Sequence, residues 1–117
     1  MLLAEAGYDE ARHNDCIESL RRKGGTISAV IEELAGHYVR MYGLGGVEEI
    51  NWGMCEDFAE DVCRLVPGAY AAWDDELGGY DGALGCHKMI VYGGRYYDSE
   101  CPEGTEEWED LIRNRQQ

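Results

Sequence analysis

HKMIVYGGRYYD, residues 87–98, decides the fold. His87 to Tyr92 and Arg95 to Asp98 are rich in β-branched and aromatic residues, and Gly93-Gly94 between them suits a tight turn. The stretch predicts a hairpin closed by a two-residue turn. That turn forces the register: Tyr92 opposite Arg95, Val91 opposite Tyr96, Met89 opposite Asp98, His87 opposite Glu100. Alternation then places His87, Met89, Val91, Tyr96, Asp98 and Glu100 on one face. His87 and Asp98 become diagonal neighbours within side-chain reach, and Glu100, directly across, is the competing partner. A carboxylate in either position orients the imidazole and stabilises its protonated form.

Working outward, Pro102 closes the hairpin, and Thr105 caps a last helix with Glu106 and Glu107 in its first turn. Trp108, Leu111 and Ile112 give that helix a short apolar face. Upstream, residues 69–73 suit a strand, and Asp74 to Gly85 reads as a loop. A helix follows Gly53, with Cys55, Phe58, Ala59, Val62, Cys63 and Val66 along one face. Glu56, Asp57, Glu60, Asp61 and Arg64 take the other, and Pro67-Gly68 ends it. Thr26 caps another helix whose apolar face runs through Ile27, Val30, Ile31, Leu34, Ala35 and Tyr38 to the glycines at 43–46. Asp15-Cys16-Ile17-Glu18 has the form of a capping box, opening a short helix after a weakly patterned stretch at residues 1–14. His13 and His37 are expected as surface or cap residues. Helices first, then strands, then a helix predict an α+β fold in a single domain, residues 1–117. Its parts are a helical segment at 1–46 and a core at 47–117.

Cys55 opens its helix, where backbone dipoles favour a thiolate. It also begins the apolar face, so it points toward whatever that face covers. If that is the hairpin sheet, Cys55 and His87 meet. The Cys55 N–H then serves one half of an oxyanion hole, with the side chain of Asn51 or Trp52 as the second donor. Gly53-Met54-Cys55-Glu56-Asp57-Phe58-Ala59 is similar to the GxCxDFA segment of the transglutaminase-like branch of the papain-like cysteine enzymes. In that family the Cys opens a helix, the His begins a strand and the Asp ends the next strand. The resemblance covers roughly residues 51–102 and implies a Cys55-His87-Asp98 triad acting on an amide bond. The family's usual Trp two residues beyond the His is Met89 here. Its members include peptidases, amidases, acyltransferases and inactive binding proteins, so the resemblance implies a scaffold more firmly than a reaction.

Charge sets the outer limits. With 24 acidic and 10 basic side chains the net charge is −14. Nucleic acids and anionic membranes are disfavoured, because both need Lys and Arg at the contact. A basic peptide, an amine or a basic protein is the expected partner. Met1-Leu2-Leu3-Ala4 is broken by Glu5, too short for a signal-peptide core, so the expected compartment is cytoplasmic, a host cytoplasm if the chain is phage-encoded. Five cysteines (Cys16, Cys55, Cys63, Cys86, Cys101) form no even framework and no zinc spacing, so neither disulfides nor a metal is expected, and no cofactor. The glycines at 43–46 lack the Lys-Ser/Thr of a phosphate loop.

Two functions fit. One is a small transglutaminase-like cysteine hydrolase or acyltransferase. The other is a non-catalytic acidic inhibitor that occupies a basic groove of its partner, as nucleic acid would. The analogy there, of size and charge only, is with phage anti-defence and anti-CRISPR proteins. The charge cuts both ways: it recruits a basic substrate, yet Glu56, Asp57 and the acidic surface oppose a thiolate at Cys55.

Overall fold

The computed structural model describes residues 10–73 and 87–111. Its elements are α1 (Glu10–Lys23), α2 (Ile27–Tyr42), a 3₁₀ turn (Val47–Glu49), α3 (Ile50–Gly53) and α4 (Cys55–Leu65). Four strands follow: β1 (Tyr70–Trp73), β2 (Lys88–Tyr92), β3 (Arg95–Asp98) and β4 (Cys101–Thr105). They form one antiparallel meander in the order β1-β2-β3-β4, and a helical turn at 109–111 comes after it. The fold is α+β.

The hairpin has the register its turn dictates, with Tyr92 opposite Arg95 and Val91 opposite Tyr96. Gly93 and Gly94 both take positive φ, at 59° and 80°, which explains why this pair sits between the strands. Tyr96 and Tyr97 pack on opposite faces. Tyr97 and Ile90 join Phe58, Val62, Ile31, Leu34 and Tyr38 in the main core under the helices. Tyr96 joins Met89, Trp108, Leu111 and Cys101 in a smaller cluster on the other face. Both N-terminal helices share the main core with α4 and the sheet, through Ile17, Leu20, Ile27 and Val30.

Four local expectations are corrected. The segment 15–18 starts no helix: it lies within α1, which already runs from Glu10. Pro102 does not end the sheet but sits inside β4, an edge strand, where a missing N–H is tolerated. Asp98 pairs with Cys101 across a tight reversal, and Gly104 at φ 80° lets Tyr97 lie against the β4 backbone. A Cβ there would stand 2.6 Å from the Tyr97 ring. Thr105 ends β4, although its Oγ1 still accepts from the Glu107 N–H at 3.5 Å. Finally, His13 and His37 are buried, not superficial. The expected loop from Asp74 to Gly85, together with Cys86 and Ile112, lies outside the described residues.

Candidate active site

Cys55 is the first residue of α4. Met54 before it leaves helical geometry at φ −127° and ψ 15°, which separates the short helix α3 from α4. The break therefore falls one residue after Gly53. It gives α4 an N-terminus of its own at the thiol, where the first backbone amides point out of the helix end.

The sheet brings the peptide joining His87 to Lys88 to this end. In the hairpin register Lys88 would meet position 99, but β3 stops at Asp98 and the chain turns away. The Lys88 N–H instead donates to Cys55 Sγ at 3.5 Å. The sulfur thus lies against the peptide that joins His87 to Lys88. His87, only 1% exposed, hydrogen-bonds through Nε2 to Asp98 Oδ2 at 3.0 Å. Asp98 is also buried, and its Oδ1 accepts from the Glu100 N–H at 2.9 Å. With Asp98 ionised, its carboxylate requires the hydrogen on His87 Nε2, so the neutral ring carries its lone pair on Nδ1. Of the two carboxylates weighed for His87, Asp98 is the partner. Glu100 is exposed and supplies a backbone donor to Asp98.

One further bond locks the hairpin end to the approach of the Cys55 helix. Ser99 Oγ donates to Val47 O at 2.8 Å, tying the turn after Asp98 to the segment that leads into α3. Sequence reasoning passed over Ser99. The polar residue directly after a pairing Asp was the available signal.

The two candidate second donors separate. Trp52 is 69% exposed. Asn51 is 5% exposed, and its Nδ2 has no hydrogen-bond partner among the described residues. A buried donor without an acceptor costs free energy unless something else, such as a substrate oxygen, supplies one. Asn51 is therefore the stronger candidate for stabilising an oxyanion.

Lys88 also answers the acidic surface around the thiol. Its Nζ lies 3.1 Å from Glu60 and 4.0 Å from Glu56, both on the Cys55 helix, and 5.0 Å from the centre of the Trp73 ring. The Lys88 side chain is mostly buried, so this positive charge is little screened and offsets the helix's own carboxylates. Replacing Lys88 by Gln keeps the backbone N–H and removes that charge. Site-resolved alkylation of Cys55 at pH 7 should then slow by about threefold to tenfold. An unchanged rate would rule out this compensation.

The remaining described cysteines are set differently. Burial pushes Cys16 up, and it raises Cys63 and Cys101 to about 11. No group of three or more His, Cys, Asp or Glu among the described residues could hold a metal ion. No described helix is long and apolar enough to cross a membrane. Comparison with protein-family models, curated proteins and solved structures finds no match.

Proposed function

We propose that the protein is a transglutaminase-like cysteine enzyme that cleaves or transfers the acyl group of an amide. The observation that carries this reading is the buried His87–Asp98 pair, one peptide bond from the amide that holds Cys55 Sγ. In the proposed reaction His87 Nδ1 takes the thiol proton and the sulfur attacks the amide carbon. The oxygen becomes an oxyanion facing the Cys55 N–H and Asn51 Nδ2. Collapse breaks the C–N bond, and the His87 proton goes to the departing amine, leaving a thioester on Cys55. Water or a second amine then gives a proton to His87 and attacks the thioester. An acid or a new amide leaves and the thiol is restored. Asp98 keeps the ring oriented and stabilises the imidazolium.

The net charge of −14 points to substrates carrying Lys or Arg. A panel of fluorogenic peptide amides with basic or acidic flanks tests the assignment, with and without an added alkylamine. Turnover should favour basic flanks and fall at least about a thousandfold in Cys55→Ala. Turnover retained by Cys55→Ala would reject the mechanism.

The same charge favours a second reading, a non-catalytic inhibitor of a basic protein. That reading requires no turnover and tight, salt-sensitive binding to such a protein, unaffected by Cys55→Ala and lost on charge reversal in Glu103 to Asp110.

A further inference from the structure

A second buried polar cluster joins the three long helices. It consists of His13 of α1, His37 and Tyr38 of α2, and Asp61 of α4. His13 Nε2 meets Asp61 Oδ2 at 3.0 Å, and the Tyr38 hydroxyl donates to the same oxygen at 2.6 Å. Asp61 Oδ1 accepts from the Arg64 guanidinium. On the opposite edge of its ring, His13 Nδ1 lies 3.1 Å from His37 Nε2, and the two rings stack with centroids 5.2 Å apart. A cavity of about 510 Å³, lined by His13 and Asp61 together with Tyr42, Asp57 and Glu60, gives solvent a route to the cluster.

Two imidazoles joined nitrogen to nitrogen accept protons in a restricted way. With both neutral, His13 Nε2–H donates to Asp61 and His37 Nε2–H donates to His13 Nδ1. One added proton makes His13 an imidazolium that donates to Asp61 and to the His37 Nε2 lone pair, so every bond survives. A second proton puts hydrogens on both facing nitrogens and two positive rings in contact, and the His13–His37 bond cannot persist.

The surroundings resist that second proton. Burial, His13, Arg40 of α2 and Arg12 of α1 hold His37 below the ordinary histidine range, against a smaller opposing pull from Asp61. Asp57 and Glu60 of α4 face the cavity from the other side, Arg64 is committed to Asp61, and burial keeps the Tyr38 hydroxyl and the Cys16 thiol protonated. Mechanically, the first half of α1 depends on this contact. From Glu10 to Cys16, His13 is the one buried residue, whereas Ile17 and Leu20 anchor the second half.

We propose that His13, His37 and Asp61 form a proton-operated clasp: with no or one added proton it fastens the first half of α1 to α2 and α4, and the second proton releases it. The clasp is independent of the chemistry at Cys55. Its sign follows from His37: a depressed histidine stabilises the closed form fully above the ordinary value of about 6.5, and that contribution is lost as pH falls.

Hydrogen exchange by mass spectrometry at pH 7.5 and 5.0, corrected for intrinsic rates, reads the clasp directly. Residues 10–16 should lose at least about tenfold in protection at the lower pH, while Ile27–Tyr42 keeps its protection. His37→Gln offers His13 a donor that cannot take up a proton, and should keep residues 10–16 protected at pH 5.0. Equal protection of the wild type at both pH values would overturn the proposal, and so would loss in His37→Gln matching the wild type. If His37→Gln does not fold, the imidazole nitrogen shifts of the wild type decide. Two coupled titration steps, the second coinciding with exposure of residues 10–16, are expected; two independent ones would refute the clasp.

Discussion

Cys55 is expected to react with iodoacetamide at pH 7 at least about a hundredfold faster than Cys16, Cys63 or Cys101. With thiols pushed up to about 11, Cys63 and Cys101 are thiolate in only about one molecule in ten thousand at pH 7. A thiol that can pass its proton to His87 is freed from that limit, because the imidazolium formed is held by Asp98 at 3.0 Å. His87→Ala should therefore bring Cys55 down to the rate of the other cysteines. Asp98→Asn should fall between, since an amide can still orient the ring yet cannot balance its charge. Peptide mapping after a short pulse assigns each rate to its residue. A Cys55 rate within about threefold of Cys16, or one indifferent to His87→Ala, would remove the basis for a nucleophile here. Salt-sensitive binding to a basic protein would then be the reading left to test.

How much of this was legible beforehand depends on how local each signal is. The hairpin was readable because Gly93-Gly94 fixes the register, and the register alone puts His87 beside Asp98. The start of α4 was readable for a similar reason, an apolar periodicity beginning at Cys55. β4 was hidden: Cys101 to Thr105 contains a proline and a glycine and lacks alternation, and it becomes a strand only because β3 offers an edge. Lys88 shares the Ile90 face of β2, against α4, and its role emerges only once Glu60 and Trp73 are brought to it. Asp61 belongs with Glu56, Asp57 and Glu60 to the face that periodicity sets opposite the apolar residues of α4, yet it is buried. Burial comes from α1 docking across that face, a tertiary event for which no periodicity in residues 10–23 speaks, since His13 occupies the position that a hydrophobic residue would have advertised.

The burial of Asp61 leads to the largest expected loss of stability. Asp61→Ala should destabilise the fold by about 3–5 kcal/mol at pH 7, against a total of about 5–15 kcal/mol for a domain. Asp61 is 7% exposed and receives His13, Tyr38 and Arg64, one group from each long helix. Removing it leaves the buried Tyr38 donor without its acceptor and breaks the His13 contact, whereas Arg64 is exposed and turns to water. Tyr38→Phe deletes a single donor and should cost about 1–2 kcal/mol. Urea unfolding followed by the tryptophan signal measures both. If orphaned donors are the cause, the losses cannot add: once Asp61 is gone, deleting the Tyr38 hydroxyl should cost nothing further or restore part of the loss. Additive losses, or an Asp61→Ala cost under about 1 kcal/mol, would mean that water repairs the cluster through the adjoining cavity. The test therefore separates a buried acid required by its partners from one that is merely tolerated among them.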